Sequence, residues 1–163
     1  MDKKLLQARD NIIESAGRTT QGFGLGRIIG QLYALLFFSP VPMSLDAMAG
    51  ELGVSKGSVS TNIRELEKWG AVRQVWVKGD RKDYYEAEVD FQRILKEGVM
   101  PYLARKWNSS LVTLEESRRL LAGSPAQRVE KNEEQAAAFI LERINLLEKA
   151  RKTISPIFKL SGF

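Results

Sequence analysis

The sequence of 163 residues contains no cysteine and no histidine. Without cysteine the chain cannot form disulfides, use a thiolate in catalysis or bind zinc through sulfur, and this composition suits a reducing compartment. Without histidine it lacks the commonest general base and the commonest metal ligand, which leaves an enzyme only carboxylate, lysine, tyrosine or hydroxyl chemistry. We therefore predict that the protein is not an enzyme and uses neither a metal nor a cofactor.

Long apolar runs are missing as well. The longest apolar stretch, LYALLFFSPVPM, is too short to span a bilayer, and the N-terminal sequence MDKKLLQARD lacks the apolar core of a secretory signal. With 44% hydrophobic and 28% charged residues, the chain can bury one core, or one small core plus an oligomerisation element. We predict a globular, cytoplasmic protein that does not contact a membrane.

Positive charge is in modest excess, with a net charge of +5. Residues 1–90 carry 12 basic and 12 acidic side chains, so the whole excess lies in residues 91–163. Within the balanced part, however, residues 55–82 carry seven basic side chains against three acidic ones. This local concentration of positive charge favours a polyanionic partner.

The basic stretch begins within a pattern that predicts two short helices joined by a glycine. Ser44 is a good N-cap for the first helix, Gly53 supplies the turn, Ser55 caps the second helix and Gly70 ends it. Apolar residues recur at helical spacing in the first helix at Leu45, Met48, Ala49 and Leu52, and in the second at Val59, Ile63, Leu66 and Trp69. Together they predict a helix-turn-helix.

A predicted β-hairpin follows directly. The segment AVRQVWV is rich in strand-forming residues, KGDRK is a turn, and DYYEAE is a second strand. A hairpin in this position is the wing of a winged helix-turn-helix.

Helices are predicted on both sides of the winged region. Residues 3–18 form an amphipathic helix that glycines then break, and RIIGQLYALLFF forms a mostly buried helix that ends at Pro40 and Pro42. Helical periodicity returns from Phe91 to Leu121, with a kink or restart near Gly98 and Pro101, and Gly123, Ser124 and Pro125 separate off a last helix. The apolar residues of the first and last helices exceed what a small domain can cover, and they are Leu5, Leu6, Ile12, Ile13, Phe139, Ile140, Ile144 and Leu147.

The predicted fold class is therefore mainly α with a small β-hairpin wing, a winged helix-turn-helix domain flanked by N- and C-terminal dimerisation helices. We divide the chain into residues 1–25 (N-terminal helix and glycine-rich connection, dimerisation), 26–90 (winged DNA-binding domain) and 91–163 (C-terminal helical dimerisation region).

The second helix of the helix-turn-helix has the composition of a helix that enters a DNA groove. The small polar start of such a helix can approach phosphates closely, and Arg64 can reach a guanine edge. Thr61 offers a methyl and a hydroxyl, and we expect Lys68, further along the helix, to meet the DNA backbone. The cations of the wing tip are suited to phosphates or to the minor groove. The predicted DNA-binding residues are Ser55, Lys56, Gly57, Ser58, Ser60, Thr61, Arg64, Lys68, Lys78, Arg81 and Lys82.

Three weaker patterns favour structural interpretations. GLGRIIG has one residue too many for a dinucleotide motif and no preceding strand, so we interpret Gly30 as a site of close helix packing. The carboxylates Asp80, Asp83, Glu86 and Glu88 are better explained by an exposed hairpin than by a metal site. Tyr33, Tyr102 and Trp107 belong either to an aromatic cage for a cation or, as we favour, to the core or a dimer seam.

The segment from Gly26 to Glu88 resembles the GbsR-like branch of the MarR superfamily of winged-helix regulators, most closely in ELGVSKGSVSTNIRELEKWGAV and VWVKGDRKDYYEAE. The resemblance implies a homodimeric transcription regulator, expected to be a repressor, bound to double-stranded DNA at a pseudo-palindromic operator. It also implies a small cationic effector such as choline, for which Tyr102 and Trp107 are the candidate residues. The alternative is a winged-helix module for protein interaction within a transcription or replication assembly.

Overall fold

The computed structural model describes residues 3–122 and 131–160, and the chain divides into two compact units, residues 1–98 and residues 99–163. The elements follow in the order α1 (Lys3–Gly22), α2 (Arg27–Phe37), β1 (Met43–Ser44), α3 (Leu45–Leu52), α4 (Lys56–Lys68), β2 (Val72–Val75), β3 (Tyr84–Ala87), α5 (Phe91–Arg93), a π-helical segment (Ile94–Val99), α6 (Met100–Ala122) and α7 (Lys131–Leu160). The predicted fold class, mainly helical with a small β wing, is confirmed.

The helix-turn-helix is formed by α3 and α4, and both predicted caps are present. The Ser44 hydroxyl accepts a hydrogen bond from the Ala47 amide at 3.3 Å, and the Ser55 hydroxyl accepts one from the Ser58 amide at 3.2 Å. Gly53 joins the two helices with a φ of 64°, a left-handed conformation that a side chain would strain. Local sequence therefore determines where α3 ends and α4 begins.

The core of the first unit lies where α2, α3 and α4 meet. Its most deeply buried side chains come from these three helices and are Leu32, Leu35, Met48, Val59 and Ile63. Burying a large aliphatic side chain is worth roughly 1.5–3 kcal/mol, so this cluster fixes how α4 rests on α2 and α3. The apolar side of α4 is buried in the core, and its polar side faces solvent.

The wing belongs to a three-stranded antiparallel sheet with the order β1-β3-β2. Val75 of β2 lies opposite Tyr84 of β3, and β1 pairs Met43 with Tyr85 on the other edge of β3. The sequence does not predict β1, because Met43 and the helix cap Ser44, which directly follow Pro42, carry no strand pattern. This short strand attaches the returning arm of the wing to the start of α3.

In the first unit, α1 packs along α2 through Gly30. A Cβ atom at Gly30 would collide with the Ala16 backbone, which confirms its interpretation as a site of close helix packing. Helix α1 continues to Gly22, four residues beyond the predicted end at residue 18. Ile13 is only 5% exposed, so the expectation that the domain cannot cover it is wrong, because α2 packs against α1.

The predicted irregularity near Gly98 is a π-helical segment. Gly98 lies so close to the Trp69 backbone that a Cβ atom has no room there, and Pro101 follows in the first turn of α6, where proline is tolerated. The predicted break at Gly123, Ser124 and Pro125 lies outside the described residues.

In the second unit, α6 and α7 are joined by one polar cluster. The Arg118 guanidinium donates to the Glu148 carboxylate at 3.1 Å and to Asn145 Oδ1 at 2.9 Å. Beside this cluster in sequence, Ile144 is 4% exposed.

Over residues 3–122 and 131–160, none of the helices has the length and apolar character required to cross a bilayer.

Candidate nucleic-acid interface

Helix α4 has two chemically distinct sides. Val59, Ile63 and Leu66 are buried, which leaves the opposite side of the helix to solvent. The exposed residues of α4 and its cap include Ser55, Lys56, Gly57, Thr61, Arg64 and Lys68, and Ser58 and Ser60 are half-buried at the edges. We call the exposed set, together with Ser58 and Ser60, the α4 face. It contains all eight residues that the sequence predicts for this helix and its cap.

The start of the α4 face is small and open. No atom lies within 4 Å of the position that a Cβ would occupy at Gly57, so nothing in the described part of the chain shields this turn. The Thr61 hydroxyl donates to the Gly57 carbonyl at 3.0 Å, which leaves the methyl group and the oxygen lone pairs of Thr61 available to a partner. The first amides of a helix carry partial positive charge, so an anion can approach this turn closely.

The wing tip carries the other three predicted residues, Lys78, Arg81 and Lys82, and all three are exposed. Asp80 shapes the turn between them, because its carboxylate accepts from the Lys82 amide at 3.0 Å and from the Tyr84 hydroxyl at 2.8 Å. These hydrogen bonds, the one from Tyr84 first, hold the pKa of Asp80 below its usual range. Asp80 therefore stays ionised as the structural anion of the turn.

Asp46, in the first turn of α3, joins the α4 face to the wing. Its carboxylate lies 2.9 Å from the Lys56 ammonium and 3.8 Å from the Lys82 ammonium. The hydrogen bond from Lys56, followed by the charges of Lys56 and Lys82, holds the pKa of Asp46 below its usual range. One carboxylate thus lies between two predicted phosphate ligands on different elements.

The basic side chains of this surface differ in whether a carboxylate neutralises them. Lys56 and Lys82 pair with Asp46, and Lys68 pairs with Glu65 at 2.6 Å. In residues 3–122 and 131–160, no carboxylate lies within ion-pair distance of Arg64, Lys78 or Arg81. We call these three the unpaired cations. They can meet a phosphate or a base without first giving up a protein partner.

The remaining hairpin carboxylates have protein partners, as expected for an exposed hairpin. Asp83 accepts from the Gln74 amide at 2.6 Å, Glu86 pairs with Arg73, and Glu88 pairs with Arg93 at 2.8 Å. Within the described ranges, the carboxylates do not gather in groups of three that would suit a metal ion.

Sequence reasoning missed two residues of this surface, Asp46 and Trp76. The sequence places Asp46 in the first turn of α3, directly after the cap, but its contacts with Lys56 and Lys82 depend on the tertiary fold. Trp76 was counted as one more strand former, yet it lies beyond the last paired residue of β2 and is 79% exposed. The sequence signal that could have identified Trp76 is its position two residues before Lys78, the first residue of the basic turn.

The candidate effector residues, Tyr102 and Trp107, are on α6, which belongs to the second unit. The Lys106 ammonium is 5.3 Å from the centre of the Tyr102 ring, and Trp107 is 38% exposed. Tyr33, the third aromatic considered, has a structural role, because its hydroxyl donates to the Glu88 carbonyl at 2.7 Å and its ring contacts Phe91. Burial, with a smaller contribution from the Glu88 charge, raises the pKa of Tyr33 to about 12.

Comparison with known proteins gives relatives of one kind. No protein-family model matches the chain. The HTH-type transcriptional repressor GbsR of Bacillus subtilis is 32% identical over 112 residues, which cover 69% of this chain and 62% of GbsR. The repressor OpcR of the same organism is 29% identical over 84 residues, covering 52% of this chain and 45% of OpcR. The chain thus spans about half to three fifths of the curated relatives that it matches.

A solved crystal structure of a transcriptional regulator superposes with a TM-score of 0.54 at 25% identity, covering 93% of this chain and 96% of the other. All three proteins are named as regulators or repressors of transcription and none as an enzyme, in agreement with the prediction made for this chain. These relatives confirm that the chain resembles GbsR-like regulators of transcription.

Proposed function

We propose that the protein is a sequence-specific DNA-binding regulator of transcription that acts as a homodimer on a pseudo-palindromic site. The observation that carries this proposal is the open, polar α4 face beside a basic wing, with Arg64 unpaired at its centre. In this proposal α4 enters the major groove, its N-terminal turn meets a phosphate, and Arg64 donates two hydrogen bonds to a guanine. Lys78, Arg81 and Lys82 lie along the flanking backbone.

Repression is the mode of control that we propose, exerted in the cytoplasm on promoter DNA. It is supported by the names of GbsR and OpcR, which are both repressors. A dimer that covers two half-sites excludes other proteins from the same stretch of DNA, so binding alone is sufficient for this effect.

The homodimer is supported by apolar side chains that remain uncovered. On α1 Leu5 is 59% exposed, and on α7 Phe139, Ile140 and Leu147 are 55%, 46% and 53% exposed. Large apolar side chains that stay exposed on a helix are typical of a protein interface, and a second copy of the chain is the simplest partner.

DNA binding is tested by mobility shift of the purified protein on its own upstream DNA, with excess unrelated competitor duplex. A shift that survives the competitor is expected, and footprinting of that fragment then gives the operator. A complex that the competitor removes completely would contradict sequence-specific binding and favour the protein-interaction module instead.

The dimer is tested by light scattering, which should give about twice the 18.4 kDa of one chain. Leu147→Glu should produce monomers, because a buried interface does not accommodate an unpaired carboxylate. Gln135→Glu adds the same charge to an exposed position of α7 and should leave the dimer intact. A monomeric wild-type protein at micromolar concentration would contradict the proposal.

A cationic effector bound at Tyr102 and Trp107 stays a prediction. The Lys106 ammonium already lies near one of these rings, so an incoming quaternary ammonium must displace it. Calorimetric titration with choline and with glycine betaine, using Trp107→Ala as the control, tests this directly. Absence of heat with both ligands would remove them as effectors.

A further inference from the structure

Trp76 is the most exposed of the large apolar side chains in the described part of the chain. Its side chain is 79% exposed, whereas Trp69 is 5% exposed and Trp107 is 38% exposed. An indole leaves a large apolar area in water at this position, and the fold gains nothing visible from it. A side chain of this kind is typical of a contact with a partner.

The surroundings of Trp76 identify the chemistry of that partner. Trp76 and the neighbouring Gln74 and Val75 form one wall of a shallow groove, and Arg81, Lys82 and Asp83 form the other wall. Asp83 accepts a hydrogen bond from Gln74, so the acidic group of the groove already has a donor. Arg81 has no carboxylate within ion-pair distance in the described residues, so the groove offers an apolar plate beside an available positive charge.

A sugar–phosphate strand matches both halves of this groove. Deoxyribose offers an apolar face to an indole, and the adjoining phosphate accepts from a guanidinium or from the indole N–H. The groove is also continuous with the α4 face, because Asp46 links Lys82 of the groove to Lys56 at the start of α4. A duplex lying against the α4 face therefore continues past the wing at this groove.

We propose that Trp76 and Arg81 form a clamp on the sugar–phosphate backbone of DNA that flanks the half-site read by α4. Trp76 packs on a deoxyribose and Arg81 binds an adjacent phosphate. Because neither group touches a base edge, the contact is independent of sequence. This inference rests on the proposed function and adds to it the wing residue that carries the apolar part of the contact.

The test uses the 163-residue chain, the footprinted upstream duplex and a scrambled duplex of equal length, with binding followed by fluorescence anisotropy. Trp76→Ala should weaken binding to both duplexes by the same factor, roughly three- to tenfold. Its salt dependence should match that of the wild type, whereas Arg81→Ala should reduce the salt slope by about one. Trp76→Phe should retain most of the affinity, and Phe23→Ala, at another exposed aromatic, should retain all of it.

Indole emission supplies a direct readout of the same contact. Quenching on addition of either duplex should be present in the wild type and in Trp107→Phe, and lost in Trp76→Phe. Two results would overturn the clamp while leaving the proposed function intact, provided that the wild type binds. One is that Trp76→Ala binds both duplexes with wild-type affinity. The other is that quenching persists in Trp76→Phe. Failure of the wild type to bind either duplex would overturn both.

Discussion

The α4 face and the wing are both basic, but their cations are held differently. On α4, Lys56 and Lys68 pair with carboxylates, whereas Arg64 has no carboxylate within ion-pair distance among the described residues. On the wing tip the proportion is reversed, since Lys78 and Arg81 are unpaired and only Lys82 pairs with Asp46. The helix thus combines small polar groups with a single available guanidinium, and the wing provides two available charges.

This difference suits the α4 face to base recognition and the wing tip to sequence-independent contacts with phosphates. In the proposed complex, a guanidinium among hydroxyls on the α4 face is suited to the donor and acceptor pattern of one base pair. Unpaired cations on an exposed turn interact with phosphates wherever these lie, and their contribution is governed by counterion release. Paired lysines contribute less than unpaired ones, because the carboxylate must be displaced or must remain close to the phosphate.

Arg64→Ala should have the largest effect among the contact residues. We expect specific binding to weaken by about 1 to 3 kcal/mol and discrimination at one base pair to disappear, because a bidentate contact to guanine is lost. Binding to the upstream duplex and to a set of single-base variants measures both quantities. Arg64→Lys is the matched control for charge, and it should recover non-specific affinity but not the base preference. Equal losses on operator and random DNA, with an unchanged base preference, would show that Arg64 does not read a base.

The wing should respond differently, and its two neighbouring cations offer a matched pair. Arg81→Ala should weaken binding to all sequences by on the order of 1 kcal/mol at 0.1 M salt and reduce the salt slope by about one. Lys82→Ala should act in the same direction with a smaller effect, because Asp46 already compensates part of its charge. Titrations at several salt concentrations on a scrambled duplex measure both. A larger loss for Lys82→Ala than for Arg81→Ala would contradict the distinction between paired and unpaired cations.

The sequence predicts the α4 face more completely than the surface around the wing, because the features of α4 depend on residues that are close together in the chain. The caps at Ser44 and Ser55, the turn at Gly53 and the two sides of α4 depend on residues within one or two helical turns of each other. The packing of Gly30 was likewise visible as a small residue in an apolar run.

Features that join distant segments were missed. The strand β1 exists only because β3 returns beside Met43, and the contact of Asp46 with Lys82 forms only when the wing folds back towards α3. The exposure of Trp76 depends on where the strand pairing stops, which the alternation of β-forming residues does not specify. Pairwise contacts of this kind have no periodic pattern in a single sequence.

Asp46→Asn should have a smaller effect on DNA affinity than Arg64→Ala or Arg81→Ala, and it should strengthen binding instead of weakening it. Removing this carboxylate releases Lys56 and Lys82 together, so binding to scrambled DNA should tighten by roughly two- to fivefold and the salt slope should steepen by about one. Operator binding should gain no more than scrambled DNA does, because no base contact is added. Asp46→Glu keeps the charge and should behave as the wild type, and thermal unfolding of each variant checks that α3 remains folded. The opposite result would be weaker binding of Asp46→Asn to both duplexes at an unchanged unfolding temperature. It would show that Asp46 positions Lys56 and Lys82 for DNA instead of keeping them from it, so that Asp46 is itself part of the binding surface.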